Sequence, residues 1–138
     1  VLKTKMKRAL EQKLKVVFCV GESLTQYKQG KSIPYIIRQI TKTFDKSINL
    51  KKIIIAYEPI WAIGTNVTPK MQEIDYIHYK IKEAIKRHFN IIKIPILYGG
   101  SVKSTNSADI FSLKNVDGGL IGGASLIASE FCKIYDTL

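Results

Sequence analysis

The sequence predicts an α/β protein with a parallel sheet, and two observations lead to this prediction. Four short apolar runs of the type that forms buried strands recur along the 138 residues, at Val16–Val20, Ile53–Tyr57, 94–98 and 119–121. Each run is followed by a loop and then by a helical pattern, and this alternation indicates βαβ units. Each unit takes about 35 residues, roughly one eighth of a (β/α)8 barrel of about 250 residues. The chain therefore corresponds to about four units, or half of one barrel domain (residues 1–138).

Helices are predicted in the segments that separate and follow these runs. The first is expected at the start of the chain, where apolar residues recur at steps of four and form one face. These residues are Leu2, Met6, Leu10 and Leu14. The other helices are expected around residues 34–47, 69–89, 107–113 and 127–135. Thr68 is a candidate N-cap for the helix that begins near Pro69, since threonine caps helices and proline is favoured in their first turn.

The chain is strongly basic, with 22 lysines and arginines against 11 acidic residues and a formal net charge of +11. Most of the basic residues are lysines scattered along predicted helices, which favours a lysine-rich solvated surface. A nucleic-acid-binding face is the alternative. No aromatic residues interleave with a basic stripe and the sequence contains no nucleic-acid-binding motif, so we expect no nucleic-acid partner.

Cysteine content and the length of the apolar runs both suggest a cytoplasmic protein. Cys19, in a predicted buried strand, and Cys132, in the last predicted helix, are too few for a disulfide framework. No apolar run in the sequence approaches the length of a membrane span, and residues 1–6 do not resemble a signal peptide. We therefore expect a reducing, cytoplasmic setting and no membrane partner.

The segment after the second apolar run carries the strongest functional signal. Residues 56–65 read AYEPIWAIGT, which places the carboxylate of Glu58 where the strand should end. Pro59 cannot continue a central strand, so a loop that contains Trp61 and Ile63 is expected. A carboxylate at a strand end, beneath an apolar loop, is suited to act as a general base held away from water. Taken singly, Glu58 could instead be an ion-pair partner and Trp61 a core residue.

Polar or glycine-rich residues also follow the other three runs. Glu22 follows the first run, residues 99–101 (GGS) follow the third, and Gly122 and Gly123 follow the fourth. The carboxyl ends of parallel strands share one edge, which is where barrel enzymes place their sites. Two glycine pairs at consecutive strand–helix turns can present backbone N–H groups to a phosphate. For either pair alone, a tight turn with positive φ is the alternative.

Four segments, in consistent order and spacing, resemble the triosephosphate isomerase family. CVGE (19–22) is similar to the family's fifth-strand turn, AYEPIWAIGT (56–65) to its signature, and YGGSV (98–102) and LIGGASL (120–126) to its phosphate loops. The resemblance covers essentially the whole chain and corresponds to the C-terminal half of a TIM barrel, from the middle of the fourth helix. It implies an aldose–ketose isomerase of glycolysis and gluconeogenesis. Such an enzyme interconverts dihydroxyacetone phosphate and D-glyceraldehyde 3-phosphate through an enediol, without a cofactor or a metal.

The resemblance also implies roles for individual residues. Glu58 is implied to be the catalytic base. The backbone N–H groups implied to bind the substrate phosphate belong to Gly64, Ser101, Gly122 and Gly123. The implied lid and its latches comprise Pro59, Trp61, Ile63, Thr65, Tyr98, Ser101, Leu120 and Glu22.

Within this set, Ile63 and Leu120 are implied to press on the base and to raise its proton affinity. Glu22 is implied to hold Trp61 in the open lid, whereas Tyr98 and Ser101 latch the closed one. For Glu22, an ordinary helix-start carboxylate is the alternative.

The chain departs from the family in what it lacks. The family's catalytic lysine and histidine belong to the other half of the barrel, as does the loop through which the full-length enzyme is expected to form a homodimer. His78 and His88 lie in a helical pattern and are expected to be surface or packing residues. The hinge at residues 66–68 is shorter than in the family, with Asn66 in place of glycine. We therefore expect this chain alone to be inactive, and either to fold poorly or to pair with a copy or a complementary half.

Two other functions stay open on the sequence. One is a different phosphate-binding barrel enzyme, which retention of activity after replacement of Glu58 would favour. The other is a non-catalytic basic half-barrel that binds a partner or nucleic acid. Salt-dependent retention on DNA would support this second alternative.

Overall fold

The computed structural model describes residues 1–45, 47–65, 67–91 and 93–138. The elements in chain order are α1 (Leu2–Glu11), β1 (Val16–Val20), α2 (Leu24–Lys28), α3 (Ser32–Thr43), β2 (Ile53–Tyr57), α4 (Met71–Phe89), β3 (Ile96–Tyr98), α5 (Ser107–Phe111) and α6 (Ala128–Tyr135). Short 3₁₀ turns occur at Leu50–Lys52, Ile60–Ala62 and Gly123–Leu126. In the described segments, no helix combines the length and the apolar character that crossing a bilayer requires.

The three strands form one parallel sheet in the order β1-β2-β3, which confirms the predicted α/β class. Strands β1 and β2 have the bounds that their apolar runs predict. Strand β3 is shorter than the run 94–98, and Pro95, which has no N–H to donate, precedes it. Val20 lies beside Tyr57, and Tyr57 lies beside Tyr98, so all three strands end at the same level. We call this end the carboxyl edge of the sheet.

The fourth apolar run lies along β3 but forms a single bridge rather than a strand. Gly119 pairs with Tyr98 in parallel. The N–H of Tyr98 donates to the carbonyl of Gly118 at 3.0 Å, and the N–H of Leu120 donates to the carbonyl of Tyr98 at 2.9 Å. Gly118 has a φ of +143°, which interrupts the extended backbone at the start of the run. The described chain thus contributes three strands and a bridge where four strands were predicted.

Helices α1 and α3 end earlier than their apolar patterns predict. Helix α1 ends at Glu11, and Lys13 then adopts a left-handed backbone with a φ of 61°. Helix α3 ends at Thr43, because Phe44 is already extended and buried in the core. Past α3 the apolar residues Phe44 and Ile48 still pack in the core without helical backbone, whereas past α1 the last apolar residue of the pattern, Leu14, is 57% exposed.

Helix α4 begins at Met71 and has Lys70 as its N-cap residue. The carboxylate of Glu73 reaches back and accepts the N–H of Lys70 at 3.1 Å, in the manner of a capping box. The predicted cap, Thr68, lies outside the helix, so that prediction is wrong. The physical reason is that the carboxylate of Glu73, three residues into the helix, satisfies the N–H of Lys70 and so determines where the helix begins.

Helices α3 and α4 cover one face of the sheet. The buried residues that form this core are Phe18, Val20, Ile53, Ile55, Tyr57, Ile96 and Tyr98 from the strands, with Ile36, Ile40, Ile74, Ile81 and Ile85 from the helices. Side chains alternate along a strand, so the other face carries Val17 and Cys19 of β1. Val17 is 43% exposed, and Cys19 is exposed as well. The expectation that Cys19 is buried is therefore wrong for its side chain.

We expect loss of a core side chain to destabilise the chain far more than loss of the same side chain at the surface. Ile55 is 0% exposed between the sheet and its helices, whereas Ile127 is 59% exposed. Ile55→Ala should lower the free energy of unfolding by about 2–5 kcal/mol, because it leaves a cavity. Ile127→Ala should change it by less than about 0.5 kcal/mol. Urea unfolding followed by circular dichroism measures both, and equal losses would contradict this description of the core.

Candidate active site

Glu58 lies at the carboxyl edge, directly after β2. Its N–H donates to the carbonyl of Val20 at 2.7 Å, which continues the pairing of β1 with β2 by one residue. Its side chain is half-buried, and the thiol of Cys19 lies 3.5 Å from its Oε1. Partial desolvation, followed by the charge of Glu58 and this hydrogen bond, raises the pKa of Cys19 to about 11. The thiol therefore stays protonated at neutral pH and donates to the carboxylate.

Two glycines leave the space that Glu58 occupies. A Cβ on Gly21 would lie 1.7 Å from the carbonyl oxygen of Glu58, and a Cβ on Gly99 would lie 2.6 Å from its Cγ. Neither position can carry a side chain unless the base moves. The sequence pattern predicts turns at Gly21 and Gly99, but it does not show that both glycines lie against Glu58. Their positions after β1 and β3 were the available signal.

Glu22 is fully buried and connects β2 to the segment that follows it. Its Oε1 accepts hydrogen bonds from the hydroxyl of Tyr57 at 3.2 Å and from the indole N–H of Trp61 at 3.0 Å. Its Oε2 has no hydrogen-bond partner among the described residues. Helix α2 is capped by the side chain of Ser23, so Glu22 does not serve as an ordinary helix-start carboxylate. The contact that the implied role of Glu22 requires is present.

Residues 59–65, which we call the lid segment, form a compact turn over the carboxyl edge. Pro59 is buried, and its carbonyl accepts the N–H of Ala62 at 2.8 Å. The hydroxyl of Thr65 donates to the carbonyl of Trp61 at 3.1 Å, so Thr65 closes the turn on itself. Ile63 is 46% exposed. Its predicted role as a cover for the base stays a prediction.

One aromatic contact and one hydrogen bond join the lid segment to other parts of the chain. The ring of Trp61 lies against that of Tyr27, with 4.3 Å between ring centroids. The hydroxyl of Ser101 donates to the carbonyl of Ala62 at 2.8 Å. The sequence did not predict this role for Tyr27, because nothing in its local pattern connects Tyr27, which follows β1, with Trp61, which follows β2.

Tyr98 and Leu120 lie next to each other in the structure but do not bind the lid segment through hydrogen bonds. The hydroxyl of Tyr98 is buried and has no partner among the described residues. Burial, with the charge of Glu22 as a second cause, raises the pKa of Tyr98. Leu120 is half-buried and donates its N–H to Tyr98. Of the two predicted latches, Ser101 forms a hydrogen bond with the lid segment, and the hydroxyl of Tyr98 forms none with any described residue.

The four residues implied to bind phosphate share one property. Gly64, Ser101, Gly122 and Gly123 have backbone N–H groups that donate to no acceptor among the described residues. Gly122 and Gly123 are exposed, and nothing lies within 4 Å of where a Cβ on either would stand. Gly64 has a φ of +66°, which favours glycine at this turn. These N–H groups are available to donate to an anion, and phosphate oxygens accept hydrogen bonds from such groups well.

The two histidines lie on α4, one packed against residues at the strand ends and one exposed. His78 is buried in α4, with its ring centroid 5.8 Å from that of Tyr57 and 6.4 Å from that of Tyr98. Burial lowers the pKa of His78 to about 4, and the nearby backbone of Asn115 opposes this shift only in part. His88 is exposed at the end of α4. Asn66, in the predicted short hinge, lies outside the described residues.

Comparison with known proteins places this geometry in a family. A sequence model of triosephosphate isomerase matches residues 1–138. The triosephosphate isomerase of Hahella chejuensis is 41% identical, over 99% of this chain and 56% of that protein. That of Nitrosomonas eutropha is 42% identical, over 94% of this chain and 53% of that protein.

Solved structures agree with the sequence relatives. A crystal structure of triosephosphate isomerase from Bartonella henselae matches with a TM-score of 0.89 and 34% sequence identity, over 99% of this chain and 55% of that one. The chain spans about half the length of the relatives it matches. Its fold is thus part of a TIM barrel, as predicted. These relatives lend no support to a non-catalytic half-barrel.

We expect the hydrogen bond from Trp61 to Glu22 to hold the lid segment in place. Glu22→Ala leaves two donors without an acceptor, which should cost about 1–3 kcal/mol for each. Trp61 is the only tryptophan in the chain, so quenching of its fluorescence by acrylamide reports its mobility directly. Quenching should increase in Glu22→Ala. Tyr57→Phe is the control, because it removes the other donor and keeps the bond to Trp61; equal quenching in both variants would contradict the assignment.

We expect the stability of the fold to fall as the pH drops from about 7 to about 4, in part through His78. Its folded pKa is about 4, below the usual value of about 6.5, so the unfolded chain binds a proton before the folded chain does. The contribution of His78 to stability therefore rises with pH through this window, by about 3 kcal/mol. Urea unfolding at several pH values should show a smaller pH dependence in His78→Leu than in the unmodified chain. His88→Leu, at an exposed position on the same helix, is the control, and a smaller pH dependence in that variant but not in His78→Leu would contradict the assignment.

Proposed function

Because the chain belongs to the triosephosphate isomerase family, we propose that the protein of which it forms part interconverts dihydroxyacetone phosphate and D-glyceraldehyde 3-phosphate. The reaction passes through an enediol intermediate and needs no cofactor. In this proposal, residues 1–138 form the C-terminal half of a single barrel domain. The proposal extends to a homodimer of the full-length enzyme and to a cytoplasmic location, which the two unpaired cysteines support.

The position of Glu58 is the observation on which this proposal rests. At the carboxyl edge its backbone carbonyl lies against Gly21 and its side chain lies against Gly99. The N–H groups of Gly122 and Gly123, which have no acceptor among the described residues, follow the next bridge along the sheet. A base and an anion site at the same edge of a sheet suit a small substrate that carries a phosphate at one end. The phosphate anchors the substrate, and the base then reaches the carbon next to the carbonyl.

The proton transfer assigned to Glu58 balances within the substrate. The carboxylate removes a proton from C1 of dihydroxyacetone phosphate, and the electrons of that bond form the C1–C2 double bond of the enediol. The carbonyl oxygen takes up a proton from a donor. Glu58 then returns its proton to C2, and the C1 hydroxyl loses its proton as the aldehyde forms. The carboxylate ends the cycle in the state in which it began.

The donor to the carbonyl oxygen is the component that this chain does not provide in the proposal. His78 lies on the helix-covered face of the sheet, and His88 lies at the far end of α4. In this proposal neither histidine donates to the substrate, since His78 is buried against Tyr57 and Tyr98 and His88 is exposed at the end of the helix. We therefore assign the donor to the other half of the barrel and expect the chain alone to lack appreciable isomerase activity.

The lid segment would close over the substrate in this scheme. Pro59 and Trp61 form its first hinge, Glu22 holds the described conformation through Trp61, and Thr65 ends the segment. Closure would bring Ile63 and Leu120 toward the base and exclude water from it. Ser101 contributes its N–H to the phosphate and its hydroxyl to the lid, and Tyr98 supplies a second latch when the lid moves.

We expect Glu58→Gln to abolish isomerase activity while leaving the fold intact. The amide has the same shape as the carboxylate but cannot accept the proton, and loss of a general base typically costs a factor of about 10²–10⁴ in rate. The assay measures kcat in the full-length protein, or in this chain mixed with a separately made N-terminal half. Glu83→Gln, at an exposed position on α4, is the matched control and should retain full activity.

The same assay distinguishes the proposal from its rivals. Retention of activity in Glu58→Gln would point to another barrel enzyme. Appreciable activity from residues 1–138 alone would contradict the assignment of the proton donor to the other half.

A further inference from the structure

A groove of about 860 Å³ lies between α3 and α4, apart from the candidate active site. Its apolar floor is formed by Ile33 and Ile37, one turn apart on α3, and by Ala84 on α4. The groove extends along α4 from Tyr79 to the C-cap residue Asn90, which corresponds to about 16 Å of helix. This length matches about three turns of a helix laid against it.

The rim of the groove is positively charged. Two of its lysines are neutralised within the chain, because Lys80 pairs with Glu83 at 2.8 Å and Lys82 pairs with Asp117 at 3.0 Å. In the part of the chain that the structure describes, Lys86 and the neighbouring arginine at position 87 form no ion pair. Both are exposed, so two unpaired cations stand beside an apolar floor.

The groove does not face the part of the barrel that the chain lacks. Further strands can join the sheet only beside β1 or beyond β3, because β2 already has a partner on each side. Helices α3 and α4 follow β1 and β2, and they pack against each other. Both walls of the groove therefore belong to this chain, and completion of the barrel leaves the groove open.

We propose that this groove binds an acidic amphipathic helix of a partner protein. The apolar face of such a helix would lie on Ile33 and Ile37, and its carboxylates would pair with Lys86 and Arg87. A nucleic acid would use the two cations but would leave the apolar floor without a contact, since its outer surface is phosphate. The combination of floor and rim therefore favours the acidic helix.

The test uses the full-length protein and a fluorescein-labelled helical peptide with leucines on one face and glutamates on the other. Binding is measured by fluorescence anisotropy at low and at moderate salt. Three probes serve as comparisons: the same peptide with lysine in place of glutamate, a scrambled peptide of the same composition, and polyuridylate. We expect saturable binding of the acidic amphipathic peptide alone, weakened by salt.

Two double variants separate the groove from net charge. Lys86→Glu with Arg87→Glu reverses the rim and should weaken binding at least about tenfold, because carboxylates would then face carboxylates. Lys51→Glu with Lys52→Glu makes the same change in net charge at exposed residues before β2, and should change binding by less than about twofold. Ile37→Ser tests the floor separately and should also weaken binding, with the fold checked by circular dichroism.

Each remaining outcome would overturn the proposal. Equal weakening by the two double variants would show attraction to net charge only. Equal binding of the scrambled peptide, or no effect of Ile37→Ser in the folded protein, would show that the floor takes no part. Displacement of the peptide by polyuridylate at lower concentration would assign the rim to nucleic acid. Isomerase activity of the full-length protein should be the same in all of these variants.

Discussion

The candidate site depends on the close approach of the end of β1 to the end of β2. The N–H of Glu58 reaches the carbonyl of Val20, and Gly21 lies so near the carbonyl of Glu58 that a single added carbon would overlap it. A side chain at Gly99, after β3, would likewise overlap the side chain of Glu58. Residues at the ends of three neighbouring strands thus fix the backbone of Glu58 and bound the space open to its side chain. This is how a scaffold positions a reacting group within a fraction of an ångström.

Glu22 extends this constraint to the lid segment. A buried carboxylate is costly unless hydrogen bonds compensate it, and Glu22 receives two on one oxygen and none among the described residues on the other. Burial, with the charge of Glu22 as the next cause, raises the pKa of Tyr57, so its hydroxyl keeps the proton that it donates. Trp61 is the one member of this group that belongs to the lid segment. A motion that carries Trp61 away from Glu22 breaks this bond, so Glu22 favours the conformation described here.

Local sequence patterns predicted those parts of the structure that local patterns determine. The bounds of β1 and β2 follow from apolar, β-branched runs, and the position of Glu58 follows from the proline after it. The stacking of Tyr27 on Trp61 and the contact of Gly99 with Glu58 could not be predicted in this way, because each joins segments that only the folded sheet brings together. The start of α4 was misplaced for a different reason. Thr68 has the composition of a cap, but the carboxylate of Glu73 determines which N–H is satisfied.

The open face of the sheet and the incomplete chemistry of the site have a common cause in the proposed barrel. Val17 and Cys19 lie on the face of the sheet opposite α3 and α4, and the side chain of Glu58 is within reach of Cys19 on that same face. A proton donor for the substrate oxygen must approach the base from there, since the helix-covered face is filled by Tyr57, His78 and Tyr98. The thiol of Cys19, with a pKa of about 11, already donates to Glu58 and is a weak acid for a second transfer. A complementary set of strands would cover the apolar face and bring a stronger donor to the base in one step, so in this scheme folding and catalysis require the same missing half.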